Sequence, residues 1–354
     1  MVRPLARTVR HLLTAVCLLV GVACAVEVAL RVDRVLAAKR DRAGQPTLVV
    51  PSPVCYAELK PLVRIERNGR TLQTSSFGTR GPEPAVPKPD GTLRLLVLGD
   101  ESTLALDAER EQTFAAAIET TLAEQTGQPV EVVNAAVPGG CPLVCALQYR
   151  HRLAALDADA VLLVLEAGDV VDDLRVRPHL RTDDDGRPVA CAHPATRSVG
   201  PTWQSELIVA DAAIRQATLR WLTASPAVRS DTLCPKRRLE WIADPDAWAT
   251  PLVDMLGPVR LLRDDAVAGG ATFHLAAVPI PVETRTGQSN PWTVVGRFAL
   301  AEGIDWIDAG PGFARQSQPE SLFAPPSGCD RPLLSPRGHA LLGQAIAAHL
   351  LGRR

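Results

Sequence analysis

The chain has no surplus of either charge: 38 Lys and Arg stand against 39 Asp and Glu, a formal net charge of -1. Nothing is left over to neutralise a phosphate backbone, which argues against a nucleic-acid partner. Aromatic residues are scarce at 4%, too few for a lectin or single-strand-binding face of stacked rings. Lysine is nearly absent, with Lys39, Lys60, Lys88 and Lys236 beside a large arginine content; that bias carries no functional weight. No G-x-G-x-x-G, P-loop, H-E-x-x-H or G-x-S-x-G motif occurs, and no internal repeat is visible. What is present is a chain of 354 residues that is 46% hydrophobic, enough for one large folded domain with additions.

The amino terminus reads as a segment apart. Arg3, Arg7 and Arg10 precede an apolar stretch from Leu12 to Leu30, interrupted only by Glu27. Its length approaches the roughly 20 residues that cross a bilayer as a helix. The expectation is an N-terminal membrane helix in residues 1–30, single-pass in the inner membrane, with the rest of the chain periplasmic or extracytoplasmic. A cleaved signal peptide ending at Ala23-Cys24-Ala25 is the rival reading. Six cysteines lie beyond this segment, Cys55, Cys141, Cys145, Cys191, Cys234 and Cys329, and export predicts disulfides among them. Cys141-x-x-x-Cys145 with Cys191-x-His193 is not a recognised zinc spacing, so no metal is implied.

Residues 31–91 read as a juxtamembrane stretch and an irregular lead-in broken by prolines. Residues 92–354 then alternate. Strands are predicted at 94–98, 130–134, 160–165, 273–278 and 304–307. Helices are predicted at 113–124, 142–156, 252–268 and 335–351. That is a parallel α/β sheet. The alternation is broken by an insertion at about 175–250, with one helix expected over 204–222 and an Asp183-Asp184-Asp185-Gly186 turn. Asp169, Asp172 and Asp173 read as a solvated loop.

Ligands bind beyond the carboxyl ends of such strands, so the residues after each strand are the ones to inspect. Gly99-Asp100-Glu101-Ser102-Thr103 follows the first, Asn134 to Gly139 the second and Glu166-Ala167-Gly168-Asp169 the third. Asp330-Arg331-Pro332-Leu333 precedes Leu334-Ser335-Pro336-Arg337-Gly338-His339 and the last helix. These blocks, with the lead-in Phe77-Gly78-Thr79-Arg80-Gly81-Pro82-Glu83, resemble those of the SGNH (GDSL-type) hydrolase family in its membrane-anchored bacterial form. The resemblance implies a three-layer α/β/α, flavodoxin-like fold and a class of esterases, lipases, and carbohydrate deacetylases or acyltransferases. It implies no cofactor.

The same resemblance marks where this chain departs. Glu101 stands at the nucleophile position, Gly168 at that of the oxyanion-hole asparagine and Leu333 at that of the general-base histidine. Gly139, the oxyanion-hole glycine, and Asp330, the triad aspartate, remain. A serine triad needs a hydroxyl, an imidazole and donors aimed at the oxyanion. Leu333 accepts no proton and Gly168 offers no side-chain amide. Ser102 is one residue late on a tight turn, which aims its side chain elsewhere. His339 lies at the start of the last helix, where packing is its plain role. Glu101 either caps the turn electrostatically or serves as a pocket carboxylate. The expectation is an impaired family member that binds or scaffolds in the envelope, with an envelope carbohydrate or acyl ester as ligand. The alternative is an active envelope esterase, deacetylase or acyltransferase with relocated catalytic groups.

Overall fold

The computed structural model describes residues 48–67, 69–196, 248–281, 292–324 and 333–352, with four isolated positions near the amino terminus. The lead-in is more regular than its prolines suggest. Strands β1 (Val49–Ser52) and β2 (Tyr56–Leu59) form one antiparallel ribbon, and β3 (Arg64–Arg67) and β4 (Arg70–Gln73) a second. The prolines lie at strand margins, in turns and in the run from Pro82 to Pro89, positions that do not break a ladder.

The main domain follows the predicted alternation. Strand β5 (Leu93–Gly99) leads through a short helix α1 (Glu101–Leu104) to α2 (Phe114–Thr126). Thr113 caps α2 by accepting from the Ala116 N–H at 3.2 Å, and Gly127 ends it in the left-handed conformation. Then come β6 (Val130–Asn134), α3 (Pro142–His151), β7 (Ala160–Leu165) and α4 (Asp169–Val176). Pro142 starts α3 at a position where its missing N–H costs nothing. The helix stops five residues short of the expected end, and a 3-10 turn covers Leu153–Leu156. The insertion contributes an antiparallel pair, β8 (Leu180–Thr182) and β9 (Pro188–Cys191). Its aspartate turn is exposed, with Asp183 Oδ1 accepting from the N–H groups of Asp185 and Arg187. The helix expected over 204–222 lies outside the described residues. Helix α5 (Ala249–Ala268), β10 (Thr272–Ala277), α6 (Thr293–Ala301), β11 (Asp305–Ile307), α7 (Gly310–Ala314) and α8 (Pro336–Gly352) complete the chain.

All five central strands are parallel, in the order β11-β10-β7-β5-β6. Numbered along the domain, that is the doubly wound order 2-1-3-4-5. Both faces of the sheet are covered, and the central strand β7 accordingly reads as an unbroken apolar run. Leu96, Leu98, Val161, Leu163 and Leu165 pack on one side with α3 and α5 residues such as Cys145, Leu252 and Val259. Leu95, Val97, Leu162 and Val164 pack on the other with Phe114 and Ile118 of α2 and Leu342 and Ile346 of α8. Gly343 lets α8 close on α2, because a β-carbon there would lie 2.7 Å from the Phe114 carbonyl oxygen.

Two expectations change. Asp169, Asp172 and Asp173 are not a solvated loop: they form the buried first turns of α4, each about 1% exposed. Asp172 and Asp173 tolerate this through Arg175 at 2.9 Å and Arg177 at 2.6 Å. Cys55, Cys141, Cys145 and Cys191 are free, buried thiols, and no disulfide occurs among the described residues. They behave as small apolar side chains: burial pushes Cys55 and Cys191 up to about 12. Cys234 and Cys329 lie outside the described residues. The membrane helix expected in residues 1–30 falls almost wholly outside the described residues, among which no helix is long and apolar enough to cross a membrane.

Candidate functional site

In the order 2-1-3-4-5, β5 and β7 flank the switch point in connectivity, and ligands of such sheets bind beyond the carboxyl ends there. Because Gly99 pairs with Val164, the residues just past each strand meet there. Asp100 is fully buried. Its Oδ1 accepts from the Gly139 N–H and, at 3.3 Å, from the Gly140 N–H. Glu166, 7% exposed, faces Ser102: one carboxylate oxygen accepts from the Ser102 N–H at 2.6 Å and the other from its hydroxyl at 2.9 Å. Asp169 Oδ2 accepts from the Glu166 N–H at 3.0 Å, while its Oδ1 has no hydrogen-bond partner among the described residues. Three acids thus crowd one spot. Burial, then the nearby Asp100 charge, pushes Glu166 up to about 8. The same causes, with Glu166 added, raise Asp169 well above the usual carboxylate range.

The expected site residues fall into separate roles. Glu101 opens α1, half-buried. Ser102 is turned onto Glu166. Asn134 is a brace: its Nδ2 donates to the Thr103 carbonyl at 2.7 Å and its Oδ1 accepts from the Ala136 N–H at 3.1 Å. Gly139 has φ +76, a backbone state that suits glycine, and a β-carbon there would strike the Arg175 guanidinium. Gly168 caps the start of α4 and supplies no side-chain donor. Leu333 is half-buried, its carbonyl accepting from the Ala324 N–H at 2.7 Å. Asp330 lies outside the described residues. His339 is packed against the Phe114 ring, centroids 5.9 Å apart. Burial, then the Arg80 charge, pushes it down to about 4, so it is neutral and structural. The structure therefore joins Asp100, Ser102 and Gly139, and gives Asn134 and His339 structural duties.

Two residues escaped the sequence reading. Glu166 carried a signal: an acid ends a buried apolar run where the resembling block has glycine. Arg175 carried none, since its approach to Gly139 depends on how α4 packs. Among the described residues no group of three or more His, Cys, Asp or Glu is placed to hold a metal ion.

No protein-family model and no curated protein matches this chain. Solved structures do show likenesses. A protein described as a lipolytic member of the G-D-S-L family from Desulfitobacterium hafniense DCB-2 is 13% identical. That match covers 72% of this chain and 98% of the other, with a TM-score of 0.40. TesA is 15% identical over 73% of this chain and 98% of its own, TM-score 0.42. A catalytic mutant of Axe2, an acetylxylan esterase from Geobacillus stearothermophilus, is 14% identical over 73% and 94%, TM-score 0.42. The fold of this chain is a doubly wound parallel α/β sheet of strand order 2-1-3-4-5, and a fold alone does not fix function.

Proposed function

We propose that this protein is a binding or scaffolding member of the SGNH-like group that does not hydrolyse esters by the serine-triad route. It is held at the extracytoplasmic face of the inner membrane by Leu12–Leu30. Its cleft takes an envelope carbohydrate or acyl ester. One observation carries this reading: protein carboxylates already occupy the backbone donors at the crevice. Glu166 holds the Ser102 N–H, and Asp100 holds those of Gly139 and Gly140. A tetrahedral oxyanion needs such donors unspent. Glu101 and Leu333 then remove nucleophile and base.

The test is activity-based labelling. An organophosphonate probe should not label the purified protein, and short acyl esters should not be turned over. Glu101→Ser alone should not restore either, because Leu333 accepts no proton. Protease added outside the inner membrane should reach residues 45–354; full protection would refute the localisation.

A second reading has its own support. The Ser102 hydroxyl sits 2.9 Å from a carboxylate raised to about 8, basic enough to act near neutral pH. In that reading Ser102 is the nucleophile and Glu166 its base, in an esterase, deacetylase or acyltransferase. Labelling at Ser102, abolished by Ser102→Ala, would establish it and sink the first reading. Against it, Ser102 is 4% exposed, and its N–H is bound to the very group that would act as base.

A further inference from the structure

The crevice has an acidic floor and a basic lip. Asp100, Glu166, Asp169 and Asp172 are buried below. Above Gly139 lies the guanidinium of Arg175, close enough that only glycine fits beneath it. Asp172 Oδ1 holds one of its nitrogens at 2.9 Å, yet the Arg175 side chain is 44% exposed. Its field extends across the lip: after burial, the Arg175 charge is what pushes His193 below the ordinary histidine range. His193 follows β9 directly, its N–H donating to the Ser52 carbonyl at 2.9 Å. The end of β9 is thus tied to the first ribbon.

We propose that Arg175 makes this lip a recognition site for a carboxylate on the ligand, taking the donor role that Gly168 cannot fill. The inference rests on the binding reading above and names its ligand class. A guanidinium presents planar paired donors that match the two oxygens of a carboxylate. A doubly charged phosphate would meet the acids below with greater repulsion. The ligand is therefore a saccharide that carries a carboxylate.

The experiment uses the full-length protein with isotope-labelled histidine and three probes: glucuronate, methyl glucoside and inorganic phosphate. Glucuronate should bind, shift the His193 signals and raise the pKa of His193 by neutralising Arg175. Methyl glucoside should bind about tenfold or more weakly by comparison. Arg175→Gln paired with Asp172→Asn removes both charges of the pair, so that Asp172 is not left charged without Arg175. It should reduce glucuronate binding to the level of the neutral sugar and raise the His193 pKa in the free protein. Arg175→Lys should retain part of the affinity. Equal binding of glucuronate and methyl glucoside, or glucuronate binding unchanged in the double variant, would overturn the proposal while leaving a saccharide-binding cleft. Phosphate binding more tightly than glucuronate would overturn the carboxylate class. Binding of neither sugar would overturn the proposal and the saccharide reading together.

Discussion

At the amino ends of the central strands, acids and bases meet in pairs. Arg94 is fully buried, yet its Nε donates to Glu131 at 2.6 Å and its remaining nitrogens to the Leu156 and Ala85 carbonyls. Lys88 and the Arg94 N–H hold Asp159 at 2.6 and 2.7 Å. His274 Nδ1 lies 2.7 Å, and His349 Nε2 2.9 Å, from Asp305 Oδ2. Burial alone would raise Asp159 and Asp305, but these partners outweigh it and hold both below the ordinary range. At the carboxyl ends the same sheet buries Asp100, Glu166 and Asp169 close together, and the pKa values of Glu166 and Asp169 rise. One end is arranged for stability. The other carries a cost that stability does not explain, as expected of a site.

The largest effect should come from breaking the paired end. Arg94→Met leaves the Leu156 and Ala85 carbonyls and Glu131 without their donor, and should destabilise the fold by about 3 kcal/mol or more in urea denaturation. Next comes the crowded end. The folded-state pKa of Glu166, about 8, exceeds the ordinary 4.5. Its contribution is therefore fully present below pH 4.5 and lost as pH rises through 8. Glu166→Gln should remove that alkaline loss, leaving the variant more stable than the parent at pH 9 by on the order of 2 kcal/mol. A variant as alkali-sensitive as the parent would put the raised acidity elsewhere. The smallest effect should be at Asp305. Its depressed pKa gives stability that is present above the ordinary 3.8 and lost as pH falls through the lower folded value. Asp305→Asn should cost about 1 kcal/mol at pH 7 and flatten the acid limb of the stability profile. If it does so while Glu166→Gln flattens the alkaline limb, the two ends are independent.

Much of the fold was legible in the residues. Val130–Asn134 and Ala160–Leu165 match the predicted strands at both boundaries, because short runs rich in valine and leucine read as strand. Thr113, Pro142 and Ser335-Pro336 marked helix starts through local chemistry that needs no tertiary partner. The lead-in ribbons were less visible, since strands of four residues carry too little alternation to stand out. Asp172 and Asp173 were misplaced because a charged residue reads as exposed unless its partner is known. Their partners, Arg175 and Arg177, stand three and four residues on, a spacing that gains meaning only once the helix is buried.

By itself, the sequence determined the parallel α/β layering and which residues stand at the strand ends, because periodicity and residue chemistry are local. Only the tertiary structure decided that Glu166 closes on Ser102, that Asp100 takes the Gly139 N–H, and that Arg175 leans over Gly139. Each joins segments at least 36 residues apart or depends on the seating of a helix, and whether a carboxylate is charged depends on what else is buried beside it.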